Sequence, residues 1–220
     1  MKKIFSIIMA VVALGFVACV DDHQEPVDLS LKIGNVYCTD GSIYPVDYFK
    51  NQGLEAAGIV TKVGGKEDAF RALVISLEDI GSHQYMTSLE AEASSISSAL
   101  DAMDGKENTS ALVYASIEDS LVVPTAALEC VAYRASGKEA WHLPSVAEFR
   151  TVTDNYWTIE RSLREVGGES LGHLYQTSTV DGTSSSNEKL YNYLIELPKG
   201  NVSGTLKTDA HPVRPFLILK

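Results

Sequence analysis

Gly168-Glu-Ser170-Leu-Gly172 has the G-x-S-x-G spacing that can present a serine nucleophile, and Asp181 or Asp209 followed by His211 completes the chain order of an α/β-hydrolase triad. That chemistry needs a strand before the serine and a helix after it, so that the hydroxyl stands clear on a sharp turn. Here the pattern predicts a helix before and a strand after, which leaves serine hydrolysis at Ser170 as a remote alternative. The five histidines, His23, His83, His142, His173 and His211, show no metal-ligand spacing such as H-E-x-x-H. Asp101, Asp104 and Glu107 follow one another along a turn but lack the alternate-residue oxygens of a calcium loop. No metal, no cofactor and no enzymatic activity are expected.

The cysteine with the clearest chemistry is Cys19. Lys2 and Lys3 precede an apolar run from Ile4 to Val17, too short for the roughly 20 residues that span a bilayer, and Phe16-Val17-Ala18-Cys19 follows it like a bacterial lipobox. Residues 1–18 therefore read as a lipoprotein signal peptide, with Cys19 as the lipid attachment and the membrane as a partner through that lipid. Several acyl chains, at about 0.8 kcal/mol per buried methylene, make such an anchor effectively permanent. Residues 19–30, opening Cys19-Val-Asp-Asp-His-Gln-Glu-Pro26, read as a flexible acidic tether. The tether resembles the acidic signal by which Bacteroidota send lipoproteins to the outer surface, so the expected place is the outer membrane with surface display. Loss of Lys2 and Lys3 with the leader leaves 16 basic against 29 acidic residues, a formal charge of −13. A polyanion of that sign repels phosphate backbones, so nucleic acid is excluded as a partner.

Residues 31–220 read as one domain, with no internal Pro/Gly-rich linker. Strands are predicted over Asn35–Cys38 and Ser42–Pro45, around an Asp40-Gly41 turn, and over Ala57–Val63 and Phe70–Leu77, around Gly64-Gly65. Leu89, Ala93, Ile96, Leu100 and Met103 recur at three- and four-residue steps, predicting a helix from Ser88 that stops at Gly105. A second helix is predicted from Pro124 or Thr125 to near Gly137, and another from Asp154 or Asn155 carrying Ile159, Leu163 and Val166. Between them, Trp141-His-Leu-Pro-Ser145 forms a pre-set corner. Pro144 holds Leu143 extended, while Ser145 and Glu148 fit a capping box. Trp141 and Leu143 are expected to face a core and His142 to face away. The last quarter predicts strands over Leu174–Val180, Leu190–Leu197 and Val213–Leu219, joined by loops at Asp181–Lys189 and Lys199–Asp209. Arg214, flanked by apolar residues, is expected to be partly buried against a carboxylate. Strands, helices, then strands without βαβ alternation point to α+β with an antiparallel sheet and helices packed on it.

Asp104-Gly-Lys-Glu-Asn-Thr109, Ala126-Ala-Leu-Glu-Cys-Val-Ala-Tyr133, Trp141-His-Leu-Pro-Ser145 with Glu148, Tyr175-Gln-Thr-Ser-Thr179 and Val213-Arg-Pro215 resemble, in order, the pattern of the Lcl C-terminal-domain-like family found in Bacteroidota lipoproteins. The family pattern more often has Tyr or Arg at His142 and Trp at Gln176. The resemblance implies a C-type-lectin-like fold with paired N- and C-terminal strands. It also implies a Cys38–Cys130 bridge as a possible stand-in for the lectin-fold disulfide, two buried free thiols being the other reading. The lectin Glu-Pro-Asn and Trp-Asn-Asp calcium motifs are absent. In lectin-like folds ligands meet the long loop between late strands, which here points to Asp181, Asn187, Tyr191 and Tyr193. The expected function is a lipid-anchored, non-enzymatic envelope module that binds or adheres to a glycan or protein. The alternative is a structural or accessory subunit of a surface fibre.

Overall fold

The structure, a computed structural model, describes residues 27–89, 93, 95–135 and 141–220. The expected signal peptide, Cys19 and the expected tether up to residue 26 lie outside the described residues. Along the chain run β1 (Val36–Cys38), β2 (Ile43–Tyr44), α1 (Val46–Phe49), β3 (Ala56–Val63), β4 (Ala72–Ser76), β5 (Ser82–Gln84), α2 (Gly105–Glu118) and α3 (Thr125–Ala132). These are followed by α4 (Val146–Asp154), α5 (Tyr156–Glu165), β6 (Leu174–Val180), α6 (Ser185–Leu190), β7 (Tyr191–Glu196), β8 (Asn201–Leu206), β9 (Ala210–Pro212) and β10 (Phe216–Leu219).

A five-stranded antiparallel sheet, in the order β10-β4-β3-β1-β2, divides the interior. The period-2 alternation of its strands sends Val36, Cys38, Ile59, Leu73, Ile75 and Phe216 to one face. There they meet Phe149 and Val152 of α4 and Ile159 and Leu163 of α5. The intervening Tyr37, Val60, Val74 and Leu217 face the other way and pack with Trp141. A third apolar cluster joins Leu112 of α2 and Ala126, Ala127 and Cys130 of α3 to Leu143, Val180 and Val213. The β6-β7-β8 meander and the β5-β9 pair complete the antiparallel α+β body. The Asp40-Gly41 hairpin forms as its residues predict: Gly41 takes φ 89° and donates to the Cys38 carbonyl, while the Asp40 carboxylate accepts from the Ser42 amide.

Three expectations are overturned, the first being the loop over Lys199–Asp209, which holds β8. The N- and C-terminal strands share a sheet but do not pair. β10 bonds to β4 and β1 to β2 and β3, so two strands separate them, a distance on the order of 14 Å at the usual strand spacing. The helix over Ser88–Gly105 is also not formed: the described residues between 95 and 104 carry no helix, and Gly105 begins α2 instead of ending a helix. The apolar residues of the segment do point inward, but Ala93 and Ile96 enter the α2–α3 cluster whereas Leu100 and Met103 enter the α4–α5 cluster. A chain that divides its apolar residues between two interiors runs alongside β6, where the Ser97 carbonyl accepts from the Val180 amide.

Candidate functional site

The corner is built as a buried polar joint. The Ser145 hydroxyl accepts from the Glu148 amide and the Glu148 carboxylate accepts from the Ser145 amide at 2.8 Å, so the capping box is complete. His142 does not face away: it is buried with Glu148, its Nε2 3.2 Å from both carboxylate oxygens, and its backbone exchanges two hydrogen bonds with Phe216 on the outer edge of β10. Trp141 and Leu143 are fully buried in different clusters, so their alternation separates two interiors rather than one core from solvent.

The N-terminus of α2 abuts this joint. A Cβ on Gly105 would lie 2.0 Å from Glu148 Oε2 and 2.6 Å from the Ser145 amide nitrogen, so only glycine lets the helix approach. One turn along, the Thr109 hydroxyl donates to the Leu143 carbonyl at 3.2 Å and accepts from the Leu143 amide at 3.0 Å. Asn108 accepts from the Ser97 amide and donates to Asp104 and Ser178, while Ser178 in turn donates its amide to the Pro144 carbonyl. Burial, with the charges of Glu148 and Glu107 adding to it, raises the Asp104 carboxyl above its ordinary range. Three of the five ordered motifs thus meet at one joint, and each polar residue there is spent on holding elements together.

Arg214 is fully buried and finds its carboxylate in Asp79, at 2.9 Å. Its remaining nitrogens donate to the Ser76 and Glu169 carbonyls, and Asp79 also accepts from the Tyr175 hydroxyl.

Of the residues expected to meet a ligand, Asp181, Asn187 and Tyr193 come together. Asp181 Oδ1 accepts from the Thr183 amide and the Tyr193 hydroxyl, each at 2.9 Å, and Oδ2 accepts from Asn187 Nδ2 at 3.3 Å. Burial pushes the Asp181 carboxyl up, but these hydrogen bonds outweigh it and hold the group below its ordinary value. Tyr191 contributes its carbonyl to the Asp181 amide and its side chain is half-buried at the start of β7. The Ser-rich stretch is not simply a loop: Ser184 caps the short α6 by accepting from the Asn187 amide. A hollow of about 330 Å³ lies beside it, with Ile96 and Val180 as its apolar lining and Ser185, Glu188 and Lys207 as its polar one. The network around Asp181 uses its own acceptors, so its evident work is to seat α6 on β7.

Ser170 is exposed in the stretch between α5 and β6, where no strand-to-helix elbow is built, and His211 Nε2 lies 2.9 Å from Thr205 Oγ1. Cys38 and Cys130 are both buried free thiols. The bridge is not formed because Cys38 packs beneath α4 and α5 while Cys130 belongs to the α2–α3 cluster. Burial raises both thiols, most strongly Cys130, away from the reactive thiolate. In a Cys19→Ala variant, neither thiol is expected to react with a maleimide reagent under native conditions and both should react in urea. Fast native labelling at either position would contradict this placement.

With this geometry in view, comparison with known proteins adds one relation. Its fold is similar to that of a fimbrial protein. A fimbrial protein from Bacteroides ovatus ATCC 8483 matches 86% of this chain with a TM-score of 0.62 at 18% identity, and the chain spans 49% of that protein's length. No family model and no curated protein matches, so the resemblance to the Lcl C-terminal-domain-like family gains no support from that side. Among the described residues, no helix is long and apolar enough to cross a membrane.

Gln176, where that family more often has Trp, is completely buried, so a tryptophan there would not form an exposed ligand surface. The most exposed aromatic among the described residues is Trp157, which no motif marks. The signal was present: the inward stripe of α5 is Ile159, Leu163 and Val166, and at about 100° per residue Trp157 falls well off it.

Proposed function

We propose that the protein is a lipid-anchored cell-surface component of a fibre, serving as a structural or accessory subunit and not as an enzyme. The observation that carries this reading is the fold shared with the fimbrial protein over most of the chain. The lipobox ending at Cys19 supports attachment at the outer membrane, with the body held off it by the acidic tether. Tyr114, Ile117 and Leu121, all exposed along α2 and just beyond its end, support contact with another subunit, because isolated soluble bodies seldom leave such a group uncovered.

A binding or adhesion module on a C-type-lectin-like body is the second reading. It rests on the ordered motifs and on the open hollow beside α6, while the self-satisfied network at Asp181, Asn187 and Tyr193 favours a structural role for those residues. Shearing intact cells and probing the released fibres by immunogold microscopy tests the leading reading. The chain is expected on the fibres, and Cys19→Ala should lose lipid labelling and membrane attachment. A chain that stays wholly in the outer-membrane fraction, evenly spread and away from any fibre, would refute the assignment.

A further inference from the structure

We propose that Trp157 and the groove beside it form a binding site for a neutral pyranose glycan. Of the two tryptophans, Trp141 is 0% exposed and locked in the core, whereas Trp157 is 77% exposed on the first turn of α5. Tyr156 stands perpendicular to its indole, with ring centroids 5.0 Å apart and planes at 90°, an edge-to-face contact against one side of the platform.

Beside the indole lies a groove of about 430 Å³ between the start of α5 and the β7–β8 turn, lined by Asp154, Asn155 and Thr158 on one wall and Pro198 and Lys199 on the other. Both walls are fixed before any ligand arrives. Asn155 Nδ2 donates to the Thr151 carbonyl at 3.1 Å, joining α4 to α5. In the opposite wall Glu196 gathers the turn, its carbonyl accepting from the Gly200 amide at 2.7 Å and its carboxylate from Lys199 Nζ at 3.0 Å and Asn201 Nδ2 at 2.8 Å. A site already in its bound shape loses little affinity to ordering.

The chemistry selects the occupant. A sugar ring has one face of C–H groups, which stacks on an indole, and a rim of hydroxyls, which needs donors and acceptors at short range; the groove supplies both. Asp154 and Lys199 place one charge of each sign at its edges, which favours a neutral ligand over an anionic or cationic one. An apolar peptide would find Trp157, the flank of Tyr156 and Pro198 to cover, among mostly polar neighbours. A membrane surface would meet an acidic chain of net charge −11, and although Arg161 and Arg164 follow Trp157 along the exposed side of α5, one indole gives it little apolar area to bury. The site stands whether or not the chain is built into a fibre.

The test uses the full chain in a sugar-free zwitterionic detergent, titrated with cellohexaose, maltoheptaose and lacto-N-tetraose. Because only one of the two indoles is reachable by solvent, protection from a collisional quencher reports Trp157 alone. At least one oligosaccharide is expected to bind and to shield the fluorescence. Trp157→Ala should weaken binding by about tenfold or more, and Trp157→Phe by less, with thermal midpoints unchanged. Failure of all three sugars to bind at millimolar concentration, or binding that survives Trp157→Ala, overturns the proposal. So does partitioning of a Cys19→Ala chain onto phosphatidylethanolamine vesicles that is lost in Cys19→Ala/Trp157→Ala, in place of sugar binding. None of these outcomes bears on fibre incorporation, which shear and microscopy read separately.

Discussion

Asp79→Ala is expected to destabilise the protein by about 3–5 kcal/mol, because it strips the counter-charge from a guanidinium that has no access to water. Arg214 is 0% exposed, with Nη1 on Asp79 at 2.9 Å and its other donors on the Ser76 and Glu169 carbonyls. The two partners are not equivalent. The Asp79 side chain is 27% exposed, so when Arg214 is replaced the carboxylate can turn to solvent; when Asp79 is replaced, Arg214 cannot. Arg214→Met should therefore cost less than Asp79→Ala, even though it deletes more hydrogen bonds. Tyr175 adds to the asymmetry, since its hydroxyl also donates to Asp79 and would lose that acceptor beneath the ring stacked on Phe149. Urea unfolding of the two variants gives the comparison directly. Equal costs, or the reverse order, would mean that the buried charge is compensated elsewhere.

Gly105→Ala should also be strongly destabilising, by about 3 kcal/mol, and with a sign opposite to helix propensity. In an exposed helical site the same change gains roughly 1 kcal/mol. Here the added methyl lies 2.0 Å from Glu148 Oε2, 2.6 Å from the Ser145 amide nitrogen and 2.9 Å from the Leu143 carbonyl oxygen. Two of those three atoms are backbone of the corner and cannot rotate away. The carboxylate could move only by releasing both Ser145 and His142. Ser110→Ala, on the exposed side of the same helix, is the control and should change stability little. A Gly105→Ala protein as stable as its parent would show that α2 can slide off the joint.

The local signals that proved readable were those in which one residue's chemistry decides its own neighbourhood. Ser145 and Glu148 specify a cap, Asp40-Gly41 specifies a turn, and the stripe Ile159-Leu163-Val166 specifies the inward face of α5. Elements whose face is only partly covered were harder to read. α2 buries Leu112 yet exposes Tyr114 and Ile117, so it has no clean apolar stripe. β8, Asn201–Leu206, carries Asn201, Ser203 and Gly204 on its exposed positions at the sheet edge, and Asn and Gly are depleted in strands. The failed helix before Gly105 shows the limit of periodicity: three- and four-residue steps say that side chains point inward, not that they point into the same interior. Strand order lay beyond local reading because it depends on which edge remains open. The candidate ligand residues were legible as a cluster, but whether Asp181 is spent on Thr183, Asn187 and Tyr193 depends on how α6 folds back over β7.

Three consecutive residues, Trp141, His142 and Leu143, touch all the interiors of the molecule: the first and third enter separate clusters, and the second is hydrogen-bonded to Phe216, whose ring enters the remaining one. A fluctuation that frees any one compartment must therefore disturb the segment on which the others close. Such a body resists piecemeal fraying and offers proteases few half-open forms.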